Sequence, residues 1–185
     1  MTTTMAAESL VRDFKIVFAG SMGAGKTTAI RAISEVTTVN TDVFNNDRAG
    51  HAKASTTVAI DYGQITLAAG LRLRLYGTPG QNRFSFMWRL VAKGALGVII
   101  LIDNSAKSPL DDLREYLDAF EEFGKRHAAV IGIGRTETHF EPSLEDYARV
   151  LEERGWRVPV LAVDVRERDD VLLALNSLLY LLDAA

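Results

Sequence analysis

The chain of 185 residues has no cysteine, which excludes disulfides, thiolate metal sites and a cysteine nucleophile. With only 4 prolines and no Pro/Ser-rich tract, it shows no linker, and its length suits one domain. It lacks a basic surplus: 21 Lys and Arg stand against 24 Asp and Glu, for a net charge of −3. That balance argues against nucleic acid as a partner. Its 3 histidines, His51, His127 and His139, are scattered without metal-ligand spacing and read as surface or loop residues. The most apolar run, residues 171–182, falls short of the roughly 20 residues that cross a bilayer and reads as a buried C-terminal helix. The first residues have no basic stretch before an apolar one, position 2 is Thr2 and not the glycine of myristoylation, and no prenylation cysteine ends the chain. The expectation is a cytoplasmic protein with no direct membrane anchor. The remaining composition, 48% hydrophobic and 24% charged, is that of a chain able to bury a core.

Strand-like and helix-like segments alternate. Lys15 to Ala19 is a short β-prone run leading straight into glycines, and residues 28–35 have a helical pattern. Residues 57–67 alternate apolar and polar, Ala69-Gly70 turns the chain, and residues 71–76 alternate again, so the two segments form a hairpin. Residues 97–102 are apolar throughout, as in a parallel strand covered on both faces. Pro109 opens a helix that runs to Phe123 before Gly124 stops it, and Ser143 with Asp146 resembles a capping box. Residues 128–133 and 158–163 are two further strands, and the Asn-, Asp- and Thr-rich stretch 37–56 reads as a mobile loop. This order implies an α/β fold with three α-β-α layers and a mixed six-stranded sheet containing one antiparallel hairpin. Residues 1–12 are expected to be a flexible segment and residues 13–185 a single domain. Ligands of such sheets sit beyond the carboxyl ends of the strands.

Gly20-Ser21-Met22-Gly23-Ala24-Gly25-Lys26-Thr27 fits G-x-x-x-x-G-K-[ST], between a strand and a helix that Thr28 continues. Glycines at this spacing let backbone N–H groups curl around phosphates while the helix N-terminus points its partial positive charge at them. Lys26 neutralises the β- and γ-phosphates, and the Thr27 hydroxyl ligates Mg²⁺.

Leu75-Tyr76-Gly77-Thr78-Pro79-Gly80-Gln81, followed by Asn82-Arg83-Phe84, resembles the D-x-x-G-Q element of Ras-like GTPases, and Thr57-Val58-Ala59-Ile60-Asp61-Tyr62 resembles a Rab-type switch I. The Thr-Pro-Gly-Gln form is similar to that of the bacterial MglA-like and conservon-type GTPases. The resemblance spans residues 14–182. It implies a P-loop NTPase of Ras-like fold that cycles between GTP and GDP with Mg²⁺ and pairs with a roadblock-fold protein or a GTPase-activating protein. It further implies that Thr57 ligates Mg²⁺, Gly80 bonds the γ-phosphate and Gln81 orients the attacking water.

Three departures qualify these expectations. Gly77 stands where the family carries its magnesium-holding aspartate; Asp61, from the neighbouring strand, is a substitute acting through water, or else an ordinary aspartate of the hairpin face. Asp103, at the end of the fourth strand, reads as a capping or loop-fixing group. The guanine-reading N-K-x-D element appears as Gly134-Arg135-Thr136-Glu137. A carboxylate acceptor at Glu137 selects the N1 and N2 donors of guanine, and Arg135 lies over the base; the alternative is an exposed Arg–Glu loop. The last base-contacting element falls at Asp164-Val165-Arg166 and matches poorly, with only its backbone expected to contribute. Finally, no arginine precedes Thr57; Arg48, Arg83 and Arg89 are near enough to supply a finger, and none is singled out. Slow intrinsic turnover follows, on the unassisted Ras-type scale of roughly 10⁻⁴–10⁻³ s⁻¹. Phe84, Phe86 and Trp88, with switch I, are the expected partner surface, and Phe44 is a candidate to stack on the base. A nucleotide-binding module that hardly hydrolyses, and an ATP-using P-loop protein, are the alternatives.

Overall fold

The computed structural model describes residues 12–43, 58–67 and 70–184, with the backbone alone for residues 39–43, 58, 59 and 82. Strands β1 (Arg12–Ala19), β2 (Val39–Val43), β3 (Val58–Thr66), β4 (Leu71–Gly77), β5 (Gly97–Asp103), β6 (Ala129–Gly134) and β7 (Val160–Ala162) form one sheet in the order β2-β3-β4-β1-β5-β6-β7. The pairs β2/β3 and β3/β4 are antiparallel and the others parallel. The expected strands are all present, and β2 adds a seventh at the edge. It lies in the stretch read as a loop. Its polar residues, Asn40, Thr41 and Asp42, conceal a strand that has a partner on one side only, the position where polar residues are tolerated. The rest of that loop, with Phe44, Arg48 and His51, lies outside the described residues, and so does Thr57.

The parallel strands are buried on both faces because their residues are apolar without interruption. Val98, Ile100 and Ile102 of β5 pack into a core beneath helices α2 (Ser85–Ala92), α3 (Pro109–Ala119) and α5 (Leu144–Glu153). Ile99 and Leu101 point the other way, into a core beneath α1 (Lys26–Ile33) and α6 (Arg168–Asp183). This is the expected three-layer arrangement of a P-loop NTPase.

The capping box holds: the Ser143 hydroxyl accepts from Asp146 N–H, and the Asp146 carboxylate accepts from Ser143 N–H. The helix read as reaching Phe123 instead breaks at Phe120 into α3 and a short α4 (Glu121–Lys125), and Gly124 lies inside α4 rather than stopping it. The reason is packing: a Cβ at Gly124 would stand 2.2 Å from the Trp156 ring. The C-terminal helix is buried on one face only, by Val171, Ala174, Leu175 and Leu178, with Leu173 and Tyr180 exposed. No described helix is long and apolar enough to cross a membrane.

From β1 the chain builds β2, β3 and β4 on one side and then crosses to β5 on the other. That reversal opens a crevice beyond the carboxyl end of β1, where α/β sheets bind their ligands.

Candidate functional site

The loop after β1 fills this crevice. Gly25 takes φ 90° at the N-terminus of α1. A Cβ there would stand 2.6 Å from Cγ2 of Val165, so the turn and the packing both need glycine. Lys26 is only 7% exposed, and its Nζ donates to the carbonyl oxygens of Gly20 and Ser21, both at 2.8 Å. Burial pushes its pKa down to about 8, while the nearby Asp61 carboxylate pulls the other way. The lysine is a charge held against its own loop, ready for a better acceptor. Beside it the Met22 N–H donates to the Gly80 carbonyl at 2.9 Å.

Asp61 faces the next residue of the helix: the Thr27 hydroxyl donates to its Oδ2 at 2.5 Å. The hairpin register explains how. Tyr62 of β3 pairs with Tyr76 of β4, which sets Asp61 across from Gly77. A Cβ at Gly77 would lie 3.0 Å from both the Cβ and the Oδ2 of Asp61. The bare glycine therefore makes the room that the Asp61 carboxylate fills. Thr78 follows, 2% exposed, its N–H donating to the Phe18 carbonyl at 2.8 Å and its buried hydroxyl finding no partner among the described residues. Lys26, Thr27, Asp61, Thr78 and Gly80 line one cleft of about 430 Å³.

A second cleft of about 420 Å³ shares Gly23, Gly25 and Thr28 with the first and extends toward Gly134, Glu137 and Arg166. Arg135, at φ 62°, reaches back to the phosphate loop. Its Nη2 donates to the Gly23 carbonyl at 3.3 Å, its Nη1 meets the Ser105 hydroxyl, and it pairs with Asp103. Asp103 also accepts from the N–H and hydroxyl of Ser105 at 2.9 and 2.6 Å, which makes it a loop-fixing group. Asn104 completes the tie. Its amide donates to the carbonyls of His139 and Pro142, and its oxygen accepts from the buried Tyr147 hydroxyl at 2.5 Å. Glu137 is exposed at the cleft's edge, 3.7 Å from Nη2 of Arg166.

The structure thus brings together Gly20 to Thr28, Gly80, Asp61, Arg135 and Glu137 around two joined clefts. Gln81 is exposed and does not line either, although it follows Gly80 directly. The partner surface needs correction. Trp88 is fully buried, stacked on Tyr116 at 4.3 Å between ring centroids, with its Nε1 donating to the Pro79 carbonyl at 2.7 Å. Phe84 packs against the same core, and Phe86 is 63% exposed. Helical spacing sends Met87, Trp88 and Val91 inward and Phe86 and Leu90 outward. Of the arginines, Arg89 donates to the carbonyls of Asp118 and Ala119 at the end of α3, and Arg83 lies over the Phe84 ring at 4.8 Å.

Sequence reasoning missed Asn104 and Thr78. Each is a polar residue directly after a buried strand, and that placement was the available signal. The side chain of Arg166 also lines the second cleft, where only the backbone of its segment was expected to contribute.

The model of the family described as "Conserved hypothetical ATP binding protein" matches residues 18–123, more than half of the chain. The chain is 27% identical over 129 residues to Ras-related protein Rab-18 of Lymnaea stagnalis, an alignment covering 68% of this chain and 58% of that protein. It is 25% identical over 145 residues to Ras-related protein Rab-8A of Pongo abelii, covering 77% and 62% respectively. An uncharacterized protein of Methanocaldococcus jannaschii is 33% identical over 94 residues, half of this chain and 53% of that one. The chain spans about six tenths of the length of the Rab proteins it matches. In structure it is similar to the G domain of the T. maritima FeoB iron transporter, with a TM-score of 0.65 and 17% identity over 92% of this chain and 99% of that one. That likeness confirms the fold. The match, from the end of β1 through the phosphate loop, β4 and β5 into α4, shows that the chain belongs to the family of conserved hypothetical ATP binding proteins.

Proposed function

We propose that residues 13–185 form a G domain that binds guanine nucleotide and hydrolyses GTP slowly, acting as a switch in the cytoplasm. The observation that carries this reading is the contact between Thr27 and Asp61 beside Lys26, at the mouth of a phosphate loop. Similarity to the Ras-related proteins supports the guanine assignment, and so does the carboxylate of Glu137 at the far end of the cleft. The adenine in the family's description is the competing assignment.

In this reading the backbone amides of residues 20–28 surround the phosphates, and the Lys26 ammonium exchanges the Gly20 and Ser21 carbonyls for β- and γ-phosphate oxygens. The oxygens of Thr27 and Asp61 suit Mg²⁺, a cation that prefers hard ligands and keeps several waters, and the Thr78 hydroxyl, without a partner among the described residues, would offer such a water one. Thr57, outside the described residues, would complete the set. When bound there, Mg²⁺ would neutralise charge on the phosphate oxygens. Gly80 turns its N–H to the γ-phosphate once its carbonyl leaves Met22, and Gln81 swings in to orient water. That water attacks the γ-phosphorus, the bond to the β–γ bridging oxygen breaks, and GDP and phosphate result. The exposed position of Gln81 favours a second reading, a module that binds nucleotide with little hydrolysis.

The MglA-like subgroup and its roadblock-type or GTPase-activating partner belong to this proposal too, with Phe86 as the presented anchor beside Phe84 and switch I. Single-turnover GTP hydrolysis with Mg²⁺ tests the enzyme. The switch reading expects a rate on the order of 10⁻³ s⁻¹ or below that Gln81→Leu lowers further. A rate that Gln81→Leu leaves unchanged supports the binding module, and no GTP binding at all overturns both.

A further inference from the structure

The base end of the cleft holds two arginines that differ in what occupies them. Arg135 spends its donors on Gly23, Ser105 and Asp103 and so holds loops together. Arg166 is held differently. Its Nε donates to Asp164 Oδ1 at 2.8 Å and to Oδ2 at 3.1 Å, and its Nη2 donates to Oδ2 at 2.5 Å. Its own N–H also donates to Asp164 Oδ1, at 3.0 Å. This clamp keeps the Asp164 carboxyl well below its ordinary range, at about 2. Asp164 is fixed in turn, its N–H donating to Asp170 Oδ2 at 2.9 Å in the first turn of α6. Nη1 of Arg166 stays outside the clamp, and the side chain remains 70% exposed, 3.7 Å from the Glu137 carboxylate. A long cation has been given one orientation at the rim of a cleft it also lines.

We propose that Arg166 is a base-specificity residue, its clamped guanidinium donating to O6 and N7 of guanine while Glu137 accepts from N1–H and N2–H. This rests on the guanine reading of the cleft. Guanine presents acceptors at O6 and N7 beside the donors at N1 and N2, and a planar guanidinium matches the first pair as a carboxylate matches the second. A neighbouring cation and carboxylate therefore follow the alternation along the base edge. Adenine carries an amino donor where guanine has O6 and an acceptor at N1, so in the same pose both side chains would face a group of their own kind. The pair rejects adenine twice. The backbone of residues 164–166, the part expected to contribute from sequence, becomes the mount for a side chain that reads the base.

The test is calorimetric titration of the native chain, Arg166→Ala, Asp164→Asn and Glu137→Gln with GDP, 7-deaza-GDP and ADP, Mg²⁺ present throughout. The native chain is expected to bind GDP about tenfold or more tightly than 7-deaza-GDP, which lacks the N7 acceptor. Arg166→Ala should weaken GDP by a factor of about 10–100 and bind the two guanine nucleotides alike. Asp164→Asn keeps the guanidinium but loosens its mount, and should show part of that loss. Glu137→Gln should keep the N7 preference. Because Arg166 is exposed, thermal melts of the variants should overlay the native one. If Arg166→Ala keeps native GDP affinity, or the N7 preference survives it, the Asp164–Arg166 pair is a loop brace and the proposal fails while the guanine reading stands. Native affinity for ADP equal to that for GDP would instead overturn the guanine reading.

Discussion

A carboxylate beside Thr27 does not have to come from the strand that usually supplies it. Asp61 on β3 reaches the position because Gly77 on β4 has no side chain to obstruct it. If Asp61 supplies the metal-side carboxylate proposed above, aspartate and glycine should be exchangeable between the two strands. Asp61→Asn should weaken Mg²⁺-dependent nucleotide binding by about tenfold or more, the worth of a charged hydrogen bond. Gly77→Asp alone should also weaken it, since the new side chain collides with Asp61. The double variant Asp61→Gly with Gly77→Asp should recover most of the loss in a Mg²⁺ titration of nucleotide affinity. If Asp61→Asn leaves the Mg²⁺ dependence intact, the aspartate only fixes the hairpin.

Lys26 allows a prediction with a definite sign. Its pKa in the folded, empty chain is lowered to about 8, so above that pH the side chain is largely neutral. Phosphates favour its charged form, and binding above pH 8 must take up a proton; nucleotide affinity therefore falls as pH rises past 8. Calorimetry at pH 9 in buffers of differing ionisation enthalpy should register uptake approaching one proton, and little at pH 7. Stability runs the opposite way. The unfolded lysine keeps its ordinary value of 10.5 and binds more protons between pH 8 and 10.5, so Lys26 makes the nucleotide-free protein more stable across that window as pH rises. Urea midpoints corrected with a Lys26→Met control check this.

Among the elements, α2 separates core from surface within two residues. Trp88→Ala should cost about 3–5 kcal/mol in urea unfolding, because it removes a buried ring stacked on Tyr116 as well as the donor to Pro79. Phe86→Ser should stay within about 0.5 kcal/mol of native. Equal losses for the two would contradict this orientation of the helix. Gly124→Ala should also destabilise, by about 1–3 kcal/mol, since the added methyl meets Trp156. Local pattern made many elements legible. Lys15 to Ala19, the unbroken apolar run of β5 and the Ser143–Asp146 cap announce themselves within a few residues. What stayed hidden depends on distant partners. Gly124 resembles a helix stop until Trp156 is seen against it, β2 resembles a loop until β3 pairs with it, and Phe84, Phe86, Met87 and Trp88 do not by themselves reveal which face is inward. In the site, the glycine-rich loop between β1 and α1 was legible because its spacing is local. The Thr27–Asp61 contact could only be suspected, since it needs the hairpin register and the vacancy at Gly77 together.

For the whole molecule, the chain order of the strands places the loop after β1 between β4 and β5, with one cleft at Lys26, Thr27 and Asp61 and a second at Gly134, Glu137 and Arg166, joined at Gly23, Gly25 and Thr28. Family membership carries adenine in its description, whereas the function proposed above has the Glu137 carboxylate selecting guanine. Base choice is thus the point on which the account stands or falls. The most direct measurement is displacement of a fluorescent GDP analogue from the Mg²⁺-loaded chain by unlabelled GTP and by ATP. A guanine-selective site should let GTP displace it at near-stoichiometric concentration, while ATP should fail at about a hundredfold excess. Displacement by ATP as readily as by GTP, or failure of the GDP analogue to bind at all, would contradict it.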